Sequence, residues 1–449
     1  MSLRSIFSRR SLHLAVAATT VVVWACDDDP SDGGGDDGST GGEQTTGASD
    51  GTDPTDATDP TGATDPTDPT DPTDPTGEDT DAPEGVTAED VLRSLADNAF
   101  APTFAEFAAE AAAFEGAAQT YADAIAGGDD PAEAVAAFLP AYISAQAAWQ
   151  RAELFQVGPA AGASGIDGGF LRDEIYSWPA TNTCRIDQEI VAGDYGDSDF
   201  TSARLVNVYG FDAIEYLVFN TSTENTCPPQ LPINGDGEWA ALGDAEIATR
   251  RAAYAAAIAD DITAVADSLA ATWAEGGEWN GYLKDPASGP LETVQKAMDE
   301  ILRAMIYIDK QLKDTKIARP AGIKDCSSEV CLDELESGYA RLSKELAVAN
   351  LEGFKRLFWA GTDAAGVGFD DLLSSIGEGA LGDEMLSDAD GAIDALNAVD
   401  GNFYDALIGD DAALDASHAA IVELTDDLKG DFPTVLMLNI PSEAAGDAD

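Results

Sequence analysis

From residue 88 to residue 126 large apolar side chains recur in an alanine-rich setting, mostly three, four or seven residues apart: Leu92, Leu95, Phe100, Phe104, Phe107, Phe114 and Tyr121. That spacing keeps one face of a 3.6-residue helix apolar. Pro102 must then sit at a break or in a first turn, because its ring clashes with the carbonyl four residues back. Asp130-Pro131 is a good helix start and opens a second helical stretch over 131–154. Further helices are predicted over 201–219, 244–275, 290–313, 333–359, 380–408 and 411–429. Sustained two-residue alternation rich in Val, Ile and Thr is missing. The expectation is an all-α domain of two packed helical bundles over 85–449, with halves at about 85–225 and 244–440. Between them lies a loop-rich stretch with Cys227-Pro228-Pro229 and Asn234-Gly235-Asp236-Gly237.

The ends of the chain are of a different kind. Residues 1–26 carry Arg4, Arg9 and Arg10, an apolar run from Leu12 to Ala25, and then Cys26. A basic start followed by a short apolar core reads as a secretory signal, too short for a comfortable transmembrane span. Val23-Trp24-Ala25-Cys26 resembles a bacterial lipobox, which would make Cys26 the lipidation site; the plain alternative is a signal peptide with a fortuitous cysteine. Residues 27–84 hold 19 acidic and no basic side chains around a Thr-Asp-Pro repeat. Such a stretch has little apolar surface to bury and is expected to be a disordered linker. It would reach roughly 45 Å as a coil and about 180 Å if fully polyproline-like.

Charge narrows the function. The chain carries 84 acidic and 23 basic residues, a net charge of −61. Residues 85–449 alone hold 65 acidic and 20 basic residues, so the folded part is itself strongly acidic. A field of that sign repels phosphate backbones, and nucleic acid is not expected as a partner. The only histidines are His13 and His418. Removal of residues 1–26 would leave one, so a two-histidine zinc site cannot be built within the chain. Beyond Cys26, the cysteines Cys184, Cys227, Cys326 and Cys331 are an even set in a chain expected to be exported. Pairing of neighbours, Cys184 with Cys227 and Cys326 with Cys331, is the preferred of three connectivities; a four-thiolate zinc site is the alternative.

The stretch Gly210-Phe211-Asp212-Ala213-Ile214-Glu215 resembles the GxHxxE signature of the imelysin-like family, with Asp212 where that family has histidine and Glu215 matching its glutamate. Trp149-Gln150-Arg151-Ala152-Glu153 with Phe155 and Gly158-Pro159 is similar to a first-half motif, and Trp178-Pro179 follows at a familiar distance. Lys316 to Ile323, Asn350-Leu351-Glu352-Gly353 and the stretch from Leu428-Lys429 to Pro441 are similar to second-half segments. The resemblance covers essentially all of 88–449. It implies two helical bundles on an exported or lipid-anchored bacterial protein. It also implies either metal-dependent peptidase activity or a part in iron uptake at the periplasm or cell surface, alongside uptake components. The aspartate at position 212 speaks against the peptidase.

The residue chemistry can be read on its own. Asp212 and Glu215 lie three apart, hence on one helix face, and could converge on a metal. Glu153 is the third candidate ligand. Carboxylates favour iron, calcium, magnesium or manganese over zinc, and the resemblance favours iron. The competing account is a buried ion pair with Arg151 or Arg204, because the apolar neighbours Ile214, Tyr216, Leu217, Val218 and Phe219 imply burial, and a buried carboxylate needs a partner. For Glu153 the competing account is a salt bridge to Arg151 or a neighbouring helix. Trp149, Trp178 and Phe155 read as core anchors, and His418 as a surface or packing residue. Three functions follow in order: a lipid-anchored, metal-binding protein of iron acquisition without catalysis; a surface interaction module; and a metallopeptidase with Glu215 as base.

Overall fold

The computed structural model describes residues 85–442; the signal peptide, Cys26 and the acidic linker expected at 1–84 lie outside them. All elements among the described residues are helices. The first opens at Thr87, whose side chain caps Asp90 N–H while Asp90 caps back. It passes through a π turn at Leu95–Phe100 into α1, Ala101–Gly127, which carries Pro102 in its first turn. Gly128 ends α1 in the left-handed conformation at φ 83. Asp130 then caps Ala132 N–H and Pro131 opens α2, Pro131–Ala152. These are the start and stop signals that the backbone chemistry calls for.

Three more helices complete the first bundle's surroundings: a ten-residue helix Thr183–Ala192, the signature helix α3 at Phe211–Phe219, and the long α4 at Asp244–Trp273. Helix α4 packs along α1 and also against α3, and α2 packs on the other flank of α1. The first bundle therefore takes its third long helix from beyond the 220–243 loop, although that helix had been expected to open the second half. Its core is aromatic: Phe107, Phe114, Phe138, Tyr142, Trp149 and Phe211 pack with ring centroids 5.1 to 6.3 Å apart. Such offset and tilted contacts add to the burial itself.

The second bundle is built from α5 (Val294–Met305), a π segment at Ile308–Ala318, α6 (Ser343–Phe358), α7 (Gly379–Ala398) and α8 (Asp415–Lys429). Helices α7 and α8 pack together, with α6 and the π segment against them. The bundles are joined where α6 lies on α2. Gly353 permits this approach: a Cβ there would stand 2.4 Å from the Arg151 carbonyl oxygen.

Four predicted helices come out differently. The 201–219 stretch is α-helical only at Phe200–Ala203 and Phe211–Phe219, and the 380–408 stretch divides into α7 and a short helix at Phe403–Gly409. The 290–313 stretch divides into α5 and the π segment, and the 333–359 stretch is helical only from Ser343. Ser337 and Arg341 hold φ of 51° and 64°, which breaks any helix through 333–342. Both cysteine pairs form disulfides as expected, with Cα atoms 4.6 Å apart for Cys184–Cys227 and 6.0 Å apart for Cys326–Cys331.

Candidate functional site

The signature helix α3 begins at Gly210, at φ 95°. A Cβ there would meet the Ile175 carbonyl oxygen at 2.8 Å and Asp212 Oδ1 at 2.9 Å, so the turn into the helix needs glycine. From that start Asp212 and Glu215 are carried inward and are 7% and 4% exposed. Glu153, just past the end of α2, is fully buried.

Asp212 and Glu215 meet neither of the arginines offered as their partners, whereas Glu153 forms the salt bridge to neighbouring helical segments that was one of its two expected accounts. Asp212 accepts from Ser177 N–H at 3.1 Å, from Ser177 Oγ at 2.9 Å, and from Thr181 Oγ1. Glu215 Oε1 accepts from the backbone N–H groups of Tyr339 at 2.7 Å and Ala340 at 3.1 Å, and Oε2 from the Tyr142 hydroxyl at 3.4 Å. Arg151 pairs instead with Glu106 and Glu352, and Arg204 with Glu189 and Asp194. Hydroxyl and amide donors replace the ion pair because loops at 177–181 and 339–340, not arginines, are folded onto α3. Glu153 is paired to Arg172 at 2.8 Å and to Lys316 at 3.1 Å, again not to Arg151.

Lys316 is the hub of this interior. Its Nζ reaches Gln150 Oε1 at 2.7 Å, Asn350 Oδ1 at 2.9 Å, Glu153 at 3.1 Å and Glu336 Oε1 at 2.8 Å. The motif segments around 149–153, 316 and 350 thus meet in one buried network across the joint between the bundles. Glu336, on the loop before α6, was not anticipated as a site residue. It also accepts from the Tyr176 hydroxyl at 2.9 Å, and its Oε2 has no partner. The signal that could have found it is the Ser337-Gly338 pair, which breaks the helix pattern one residue later.

The charges do not balance. Four buried carboxylates, Asp212, Glu215, Glu336 and Glu153, face two cations, Lys316 and Arg172. Burial pushes Glu215 up to about 7 against the pull of its two amide donors, with the nearby Glu336 charge adding to the rise. Burial likewise raises Asp212 and Glu336. It would raise Glu153 too, but the charges of Lys316 and Arg172 outweigh it and hold Glu153 below the usual range. Desolvation and opposite charge pull in opposite senses: at Glu153 two adjacent cations outweigh burial, whereas at Glu336 the single cation Lys316 does not.

As a resident metal centre the donor set fits poorly. The oxygens of Asp212 and Glu215 already accept hydrogen bonds, Glu153 is held by two cations, and among the described residues no group of three His, Cys, Asp or Glu side chains could hold a metal ion. What the interior does open onto is a cavity of about 460 Å³. Its wall includes Ser177, the partner of Asp212, and Arg172, the partner of Glu153. Trp178 lines it as well, so this tryptophan is a cavity residue only partly buried, unlike the core anchors Trp149 and Phe155.

A family model for imelysin, the M75 peptidases, matches residues 100–429. The chain belongs to the imelysin family. Two solved structures share its fold. One is a putative iron-regulated protein A precursor from Parabacteroides distasonis, at 19% identity and TM-score 0.58, covering 76% of this chain and 93% of that one. The other is an imelysin-like protein from Psychrobacter arcticum, at 14% identity and TM-score 0.57, covering 79% of this chain and 98% of that one. No curated protein matches. Within the imelysin signature this chain keeps the glutamate as Glu215 and has Asp212 in place of the histidine. None of its described helices is long and apolar enough to cross a membrane.

Proposed function

We propose that this imelysin-family protein is exported, anchored to a membrane of the bacterial envelope through a lipid on Cys26, and serves iron acquisition as a binding protein without catalysis. The observation that carries the reading is the saturation of the signature carboxylates. Asp212 and Glu215 are held by hydroxyl and amide donors, and an imidazole ligand is absent from position 212. Hydrolysis by a bound metal needs an open coordination position and a base facing the bound water. These carboxylates are committed instead to structure beneath a cavity. The disulfides fit an oxidising compartment outside the cytoplasm. The iron-regulated name of the Parabacteroides protein supports iron as the cargo.

One observation favours the peptidase reading: Glu215 at about 7 has the affinity of a general base at neutral pH. The two readings separate in one experiment. The purified protein is incubated with insulin and with a denatured protein substrate, and titrated in parallel with ferric iron as a salt and as a citrate complex. Saturable iron binding without hydrolysis is the expected result. Hydrolysis that disappears in Glu215→Gln would overturn it.

A further inference from the structure

The cavity beside the buried carboxylates is walled by positive charge in a domain of the opposite sign. Arg172, Arg303 and Lys310 line it against a single acidic residue, Asp173. Residues 303–324 hold six basic side chains (Arg303, Lys310, Lys313, Lys316, Arg319 and Lys324) and two acidic ones. Over 85–449 acids outnumber bases 65 to 20, so this segment inverts the balance of the chain around it.

Arg172 and Arg303 are fixed, not loose. Arg172 is held on Glu153 at 2.8 Å and Asp173 at 3.0 Å, and Arg303 on Glu300 at 2.9 Å and on the Gln156 carbonyl. Each guanidinium offers five N–H donors in a planar fork, so pairing orients it without exhausting it. Lys310 stands 3.4 Å from Asp309. The Tyr307 hydroxyl at the same wall lies beside Glu153 yet makes no hydrogen bond of ordinary geometry. The lining also has apolar members: Phe170, Trp178, Pro179, Val206 and Ile306. Phe170 is 48% exposed and held at φ 61°. A volume of about 460 Å³ lined by both charged and apolar side chains is that of a small-molecule site.

We propose that this cavity binds a small organic anion, its carboxylate on Arg303 and Lys310 and its apolar or aromatic body against Trp178 and Phe170. A bare metal cation would meet three fixed cations there. At physiological salt only acids beyond a Debye length of about 8 Å are screened. Glu153, Asp173, Glu300 and Asp309 are paired directly to the lining cations. An anion would therefore be held by the further N–H donors of the Arg303 fork and the Lys310 ammonium, not by a net positive field. The proposal deepens the iron reading, and rests on it, in one respect only: iron would enter as its anionic chelate.

The test titrates salicylate and citrate, each alone and as its ferric complex, into the protein by calorimetry, with ferric salt alone as a further arm. The variants are Lys310→Gln, Arg303→Lys and, remote from the cavity, Lys284→Gln. Saturable binding of at least one anion is expected, with Kd below about 1 mM. It should weaken about tenfold in Lys310→Gln and in Arg303→Lys, and be unchanged in Lys284→Gln. Lys310 is partly exposed, so its variant decides alone if Arg303→Lys does not fold. Absence of saturable anion binding, or equal affinity in Lys310→Gln and Lys284→Gln, overturns the proposal. Binding of ferric salt alone overturns it while leaving the iron reading in place. Binding of a free anion with no uptake of iron in any form upholds it and ends the iron reading.

Discussion

Lys316 Nζ stands 2.8 Å from Glu336 Oε1 and 3.1 Å from Glu153 Oε2, and all three side chains are at most 1% exposed. One cation from the π segment thereby holds a carboxylate from the first bundle and one from the loop before α6. Lys316→Met would leave both acids buried around an apolar chain. Removing one partner of a buried ion pair costs about 3–5 kcal/mol, because the charge left behind keeps its desolvation penalty. Urea unfolding at pH 7 should show a loss of that size, with part of it recovered in Lys316→Met/Glu336→Gln. A loss under about 1 kcal/mol would mean that the network contributes little.

The titration of Glu215 gives a prediction with a definite sign. Its folded value of about 7 lies above the ordinary 4.5, so between those values the folded state holds a proton that the unfolded state has released. The associated stability is present below about pH 4.5 and is lost as pH rises through about 7, to the extent of about 3 kcal/mol. Glu215→Gln cannot titrate. The stability difference between wild type and variant should therefore shift by about that amount between pH 4.5 and pH 8, against the wild type. Parallel stability curves across this range would refute the assignment.

Two glycines on helices should respond in opposite directions to alanine. At Gly353 the added methyl would stand 2.4 Å from the Arg151 carbonyl oxygen, forcing α6 off α2 at a cost of about 1–3 kcal/mol. At Gly116, exposed on α1 with nothing within 4 Å of the new carbon, alanine should stabilise by about 0.4–1 kcal/mol. Thermal melts of the two variants settle the point; a tolerated Gly353→Ala would show that the joint can open.

The disulfides differ in the loops that they close, 43 residues for Cys184–Cys227 and 5 for Cys326–Cys331. In the chain-entropy model they contribute about 4 and about 2 kcal/mol. Paired serine substitutions, measured in urea without reductant, should preserve that order. Equal losses would point to local packing as the source of the stabilisation.

Much of the fold could be read from periodicity and caps, because α1, α2 and α4 carry their burial pattern in the local sequence. The segment 333–342 could not. Its apolar spacing continues that of α6, but Glu336 is drawn inward to Lys316 and the left-handed turns at Ser337 and Arg341 follow from that long-range demand. The site was half legible for the same reason. The signature placed Asp212 and Glu215 on one buried helix face, and the motif segments marked Glu153, Lys316 and Asn350. What holds the carboxylates, Ser177, Thr181 and two amide groups, comes from loops 31 to 125 residues away, and nothing in their local sequence announces it. The cavity cations left a clearer mark, a basic run inside an acidic chain.

Glu215 is recognised by the main chain of residues 339 and 340, not by their side chains. Any amino acid except proline supplies the same N–H group. As far as Glu215 is concerned these two positions can drift in identity while their task stays fixed. What weighs on the side chains is separate: the edge contact of the Tyr339 ring with Tyr216 and the packing of Ala340 on the core. A constraint of this kind leaves no mark on side-chain identity, and a proline scan across the loop would expose it.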